Sequence, residues 1–185
     1  MNCHQDCASR RAPILSTRRS VVAGLACAAV LPAASRPAAA AATADDERFM
    51  RMALDEARQA DFPFGAVIVR DGAVIARGRN LGRTNRDPTA HGEMVAIRRA
   101  IADHGPAALR GSTLYTSGEP CAMCMGAILW CHFGRLVFAA SVGQLAAKID
   151  QIMTSSSDLR AQAQFVAISI TGGVLADEAM ALFAK

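Results

Sequence analysis

Four side chains in this sequence have the types and spacing to act together on one atom: His91 and Glu93, then Cys121 and Cys124 behind Pro120. One imidazole and two thiolates make a three-ligand zinc set. Three protein ligands leave the fourth tetrahedral position open, whereas structural zinc sites are closed by four. An open position takes water, whose pKa the metal lowers to near neutrality. A carboxylate that is not a ligand must then accept the proton and deliver it elsewhere, which makes Glu93 the candidate catalytic residue.

The spacing bears on this reading. Cys121 and Cys124 at i and i+3 share a helix face, and Pro120 suits the first turn, where a missing N–H is no loss. Both thiols then sit at a helix N-terminus, whose positive end favours thiolate. His91 and Glu93 at i and i+2 do not share a face. The arrangement therefore requires His91 to open its helix and Glu93 to reach the metal-bound water from another side. A Cys-x-x-Cys alone is often a redox pair or half of a zinc knuckle, and His-x-Glu alone means little. No second cysteine pair follows to complete a four-cysteine site, and Cys131 and His132 come too late on the helix to join the shell.

The elements that must position these groups can be read from periodicity. Residues 45–60 carry Phe49, Met52, Ala53, Ala57 and Ala60 at helical spacing. Strands at 64–69 and 73–76 flank Asp71-Gly72, a strong hairpin signal. A polar loop over 80–90 delivers the chain to His91, and a helix with Met94, Val95, Ile97, Ala100 and Ile101 inward runs to Gly105-Pro106. A strand at 112–116 leads into the cysteine helix, which continues to Trp130. A buried strand at 135–140, a helix over 142–153, a strand over 164–171 and a helix over 175–183 complete the chain. Strands alternating with helices imply an α/β protein, a three-layer α/β/α sandwich on a mixed sheet of about five strands.

Length and charge set bounds. The 185 residues fit one domain, 45–185, behind an extension over 1–44. The extension holds Thr17-Arg18-Arg19-Ser20-Val21-Val22, an apolar run to Leu31 and an alanine-rich stretch. It resembles a twin-arginine (Tat) signal peptide, with Ala42-Thr43-Ala44 as the expected cleavage site and the periplasm or exterior as the destination. The alternative is an Ala-rich tail or a misassigned start, with a cytoplasmic protein. The apolar run is too short for a stable membrane span. Cys27 as a lipid anchor is disfavoured because Gly24 stands where leucine is preferred. Arg10, Arg11, Arg18, Arg19 and Arg36 against Asp6 account for the whole net charge of +4, so 45–185 balances to zero. A large nucleic-acid partner usually meets a basic surface, so neutrality favours a small substrate, although Arg77, Arg79, Arg83 and Arg86 cluster.

Pro63-Phe64-Gly65-Ala66-Val67, Asp87-Pro88-Thr89-Ala90-His91 and Thr116-Ser117-Gly118-Glu119-Pro120-Cys121, together with the His-x-Glu and Pro-Cys-x-x-Cys pair, resemble the cytidine and deoxycytidylate deaminase superfamily. The resemblance runs from about Asp45 to Val142 and points to the branch of bacterial guanine deaminases and tRNA adenosine deaminases. It implies a cytidine deaminase-like fold, zinc on His91, Cys121 and Cys124, proton shuttling by Glu93, and a homodimer. It further implies that Asn80 hydrogen-bonds the base, that Phe64 and Trp130 shape the pocket, that the Gly92 N–H contacts substrate, and that the Glu119 carbonyl accepts from the departing amine. Gly92 replaces the usual alanine, and 144–185 matches familiar members poorly. Gly126-Ala127-Ile128-Leu129-Trp130 is closer to guanine deaminases.

The expectation is an exported zinc-dependent aminohydrolase acting on a purine base, guanine first, with a tRNA wobble-adenosine deaminase as the alternative and a non-catalytic base-binding module as the third. Beside these roles stand plainer ones: Asn80 as a turn residue, Trp130 and Phe133 as core or interface, Met94, Met123 and Met125 as core filler, and His104 as a helix-end cap.

Overall fold

The structure, a computed structural model, describes residues 42–184. The twin-arginine segment expected over 1–44 therefore lies outside the described residues, apart from 42–44. The first helix, α1 (Ala44–Arg58), begins at the proposed boundary. Thr43 is its N-cap: the Thr43 hydroxyl accepts from Asp46 N, and the Asp46 carboxylate accepts from Thr43 N, a reciprocal capping box. A division between 44 and 45 thus falls inside the first turn of α1.

A hairpin follows, β1 (Gly65–Arg70) and β2 (Ala73–Arg79), turning on Asp71 and Gly72, both at positive φ. Then come α2 (Gly92–His104), β3 (Thr113–Gly118), α3 (Ala122–Trp130) and β4 (Arg135–Ala140). The chain ends with α4 (Val142–Ala146), α5 (Ser156–Gln162), β5 (Ser169–Thr171) and α6 (Ala176–Ala181). The sheet is mixed and five-stranded, in the order β2-β1-β3-β4-β5. β1 is antiparallel to β2 and β3, while β3, β4 and β5 run parallel. This is the α/β architecture expected from the sequence.

Side chains alternate across a strand, and the two cores follow that alternation. Ala66, Ile68, Leu114, Leu136 and Phe138 face α2 and α3 on one side, and Val67, Val69, Tyr115, Val137 and Ala139 face α1, α4 and α6 on the other. Asp46 links the start of α1 to the sheet. Its buried carboxylate accepts from Arg135 at 2.7 and 3.0 Å and from the Tyr115 hydroxyl at 2.9 Å. Burial alone would raise the Asp46 pKa, but the Arg135, Thr43 and Tyr115 hydrogen bonds outweigh it and hold the group at about 2.

The C-terminal third departs from expectation. The helix over 142–153 stops at Ala146, and Ile152 and Met153 are exposed. A second helix, α5, starts instead at Ser156. Two capping boxes explain the split: Ser141 with Gln144 opens α4, and Ser155 with Asp158 opens α5. The strand over 164–171 shrinks to three residues because β4 offers partners only from Arg135↔Ser169 to Val137↔Thr171. β2, in contrast, runs three residues past its expected end, to Arg79.

Candidate metal centre and its cavity

The ligand residues are placed by two helix starts. His91 is the N-cap of α2 with extended backbone, φ −66° and ψ 158°. Cys121 is the N-cap of α3, φ −62° and ψ 168°, and Cys124 stands at its third helical position. Pro120 accordingly precedes the cap rather than occupying the first turn. An N-cap side chain folds back toward the third helical residue, which is why i, i+3 spacing brings the two sulfurs to one point. The α2 helix can approach the sheet because Gly78 of β2 lies beneath it. A Cβ there would be 2.2 Å from the Gly92 carbonyl oxygen and 2.4 Å from Ala96 N.

His91 Nδ1 lies 3.6 Å from Cys121 Sγ and 3.6 Å from Cys124 Sγ. All three ligand atoms fall within 4.8 Å of one another. A zinc ion with bonds near 2.3 Å to sulfur and 2.0–2.1 Å to nitrogen, at tetrahedral angles, separates S from N by about 3.6 Å. The donor set and its spacing fit zinc. Hydrogen bonding from Cys124, followed by that from His91, pulls the Cys121 thiol down to about 4, while the bond to Cys121 and burial push Cys124 up. Zinc would be held by both sulfurs as thiolates, so its binding would release thiol protons.

Glu93, at the second position of α2, is buried beside the ligands and accepts from Thr116 Oγ1 at 3.4 Å. Burial raises its pKa, and the sulfur of Cys121 adds to that. A raised carboxylate pKa suits a group that must both take and return a proton near neutral pH.

A cavity of about 720 Å³ opens on this cluster. Of the expected substrate residues, Phe64, Asn80 and Glu119 line it together with His91, Glu93 and Cys121. Asn80 serves as both turn and wall, since its Oδ1 accepts from Gly82 N at 3.1 Å while the residue borders the cavity. Gly92 is buried at the start of α2, with space for a Cβ limited by the Phe64 carbonyl oxygen at 3.0 Å.

Trp130 does not line the cavity. It closes α3 six residues beyond Cys124, about 9 Å farther along the helix axis. It is 74% exposed, which also removes it from the core, and stacks on Phe165 at 4.8 Å. Met123, read from sequence as core filler, is instead a partly exposed cavity residue, whereas Met125 and Phe133 are fully buried. His104 lies in the last turn of α2 with Nε2 3.1 Å from the Ile75 carbonyl oxygen. Arg79 is paired with Glu56 at 3.1 Å and Gln59 at 2.7 Å, which weakens the arginine cluster as an anion surface.

Sequence reasoning missed Phe62, Pro88 and residues 149–152 as parts of the wall. The capping pattern Ser155-Ser156-Ser157-Asp158 was the available signal that 147–155 is not helical.

The model of the cytidine and deoxycytidylate deaminase zinc-binding region matches residues 43–140. The chain belongs to that family. Within it, the chain is 54% identical over 78 residues to a guanine deaminase of Bacillus subtilis, a match covering 42% of this chain and 50% of that protein. A solved tRNA:A34 deaminase that edits A to I at the wobble position is 34% identical with a TM-score of 0.64, over 73% of this chain and 98% of that one. A guanine deaminase structure from Nitrosomonas europaea is 28% identical with a TM-score of 0.66, over 75% and 82%. The matched region spans 50% of the Bacillus subtilis guanine deaminase and 58% of a tRNA-specific adenosine deaminase of Haemophilus influenzae. The match covers the zinc-binding region, so His91, Cys121 and Cys124 form this family member's candidate zinc site.

Proposed function

We propose that this chain is a zinc-dependent aminohydrolase that deaminates a free purine base, guanine first, and releases ammonia. The observation that carries the choice of substrate is the cavity wall formed by residues 149–152, in which Asp150 brings a carboxylate to the metal cavity. Free guanine offers ring N–H donors that a carboxylate accepts. The adenine of a polynucleotide has no ring N–H, and its phosphates are repelled by the same charge. The balanced charge of 45–185 supports a small substrate as well.

Zinc, when bound, supplies a water of lowered pKa as nucleophile. Glu93 would take one proton from the attacking water and pass it to the ring nitrogen beside the amine-bearing carbon, then take the remaining proton of the added hydroxyl and deliver it to the amine, which leaves as ammonia as the carbonyl forms. Its burial keeps the shuttle out of bulk water. Asn80, with Oδ1 committed to Gly82, has its amide N–H groups to offer to acceptors on the base. Phe64 presents an aromatic wall, Gly92 N–H contacts the base, and the Glu119 carbonyl accepts from the departing amine.

A second reading, a tRNA wobble-adenosine deaminase, draws on the likeness to the solved tRNA:A34 deaminase, almost all of which is covered. We further propose export through the twin-arginine route and a homodimer that covers the exposed Trp130–Phe165 stack. The test is ammonia release by the zinc-loaded chain, kept intact at Thr43, on guanine, adenine, cytosine, their nucleosides and a wobble-containing tRNA stem. Turnover of guanine to xanthine is the expected result. Activity confined to the stem would replace this reading with the second, and zinc content without turnover of any base would leave a non-catalytic binding module.

A further inference from the structure

Residues 147–155 form part of the cavity wall, yet nothing beyond their own neighbourhood holds them by hydrogen bonds. Ala147 N donates to Gln144 O, Lys148 N and Ile149 N to Leu145 O, Thr154 N to Ile152 O, and Ser155 bonds Asp158. Among the described residues, every hydrogen bond of this segment stays within 144–159. As far as hydrogen bonds go, its place over the cavity therefore depends on its two ends.

Both ends meet on one side chain. Glu119 Oε2 accepts from Val142 N, the first residue of α4, at 2.8 Å, and Oε1 accepts from Ser156 N, the first residue of α5, at 2.8 Å. The capping boxes of these helices occupy the N–H groups of Gln144 and Asp158, which leaves the first N–H of each helix for Glu119. Glu119 is itself fixed: it is buried, its N–H donates to Ala140 O at 2.7 Å, and it precedes Pro120-Cys121 in the chain. One carboxylate thus ties the start and the end of the wall segment to the loop that carries a zinc ligand.

We propose that Glu119 is the positioning residue that sets 149–152 over the cavity, so that substrate retention depends on its side chain and not only on its backbone carbonyl. Its two bonds to N–H groups are of the charge-assisted, stronger kind. Glu119→Gln keeps the shape and one acceptor oxygen but turns an NH₂ toward the other N–H. Glu119→Ala removes both anchors. Neither change touches a metal ligand.

The test has two arms. Amide hydrogen exchange on the zinc-loaded full chain reads the anchoring directly and does not depend on substrate. Protection across 142–156 is expected to fall in Glu119→Gln and further in Glu119→Ala, with zinc per chain retained and α2 exchange unchanged. The kinetic arm rests on the guanine reading. The KM for guanine is expected to rise about tenfold in the Gln variant, with a smaller change in kcat, as for an interaction that holds substrate rather than the transition state. Unchanged exchange over 142–156 in the Gln variant would overturn the proposal, and so would zinc loss with unchanged KM, which would place Glu119 in service of the metal loop. A wild-type chain inactive on guanine would defeat the substrate reading while leaving the exchange arm to decide this one.

Discussion

Replacing Gly78 with alanine should release zinc, although residue 78 touches no ligand. The added Cβ would lie 2.2 Å from the Gly92 carbonyl oxygen, against an ordinary contact of 3.4 Å or more. Something must move by about 1.2 Å, some sixfold the roughly 0.2 Å tolerance of a metal–ligand distance. β2 is paired with β1 from Gly65↔Arg79 to Arg70↔Ala73, whereas α2 rests on side-chain packing, so the helix is the softer partner. Shifting α2 carries His91 away from Cys121 and Cys124, which it meets at 3.6 Å. The expected outcome is at least a tenfold loss of zinc affinity with a destabilisation of about 3 kcal/mol, the upper range for overpacking. Zinc per chain is read by competition with a chelator, and stability by urea unfolding. Gly126→Ala is the control: it lies within α3, meets nothing within 4 Å, and should stabilise by about 0.5–1 kcal/mol through helix propensity. A Gly78→Ala protein that binds zinc as the wild type does would refute the reasoning, because β2 rather than α2 would then have given way.

Glu93→Gln should keep full zinc occupancy and lower kcat by about 10²–10⁴, measured by ammonia release and metal analysis; loss of metal would mean the carboxylate is a ligand. Asp46→Asn should destabilise by about 3 kcal/mol at neutral pH because it leaves the Arg135 guanidinium without its anion. The folded Asp46 pKa, about 2, is below its unfolded value of about 3.9, so this stabilisation is complete above the unfolded value and fades as pH falls toward 2. Unfolding curves of both proteins should therefore converge across that window. In zinc-stripped protein, Cys121 should be alkylated at pH 6 well before Cys124, since its thiol is pulled down to about 4 while that of Cys124 is pushed up; equal labelling of the two by mass spectrometry would contradict this, and added zinc should protect both.

The metal site was legible in sequence because its geometry is local. Cys121 and Cys124 span one helix start and His91 opens another, so the donor set could be read locally, whereas the 3.6 Å approach of His91 to both sulfurs comes from the fold that brings the two helix starts together. Glu93 followed from chemistry, since an open zinc position needs a proton acceptor. The strand alternation that sorts Val67 and Val137 from Ile68 and Leu136 was equally local. What could not be read depends on distant partners. The wall at 149–152 is placed by Glu119, some thirty residues earlier in the chain. The pocket role of Trp130 came from the family resemblance, but its place is decided by where α3 lies relative to Phe165. The apolar spacing at Leu145, Ile149, Ile152 and Met153 imitates a helix that two serine caps divide.

The capping box at Thr43 and Asp46 makes order of events visible at the chain's beginning. If the alanine-rich extension is removed during export, the residues a peptidase would cut, Ala42-Thr43-Ala44, include the Thr43 that opens α1 and bonds the Asp46 carboxylate, which Arg135 and Tyr115 hold on the sheet. A cut made before folding reaches Ala44 and leaves Asp45 first. A cut made on the folded protein must stop short of Thr43. The N-terminal residue of the exported chain would therefore record whether the zinc domain was already folded when its extension was lost.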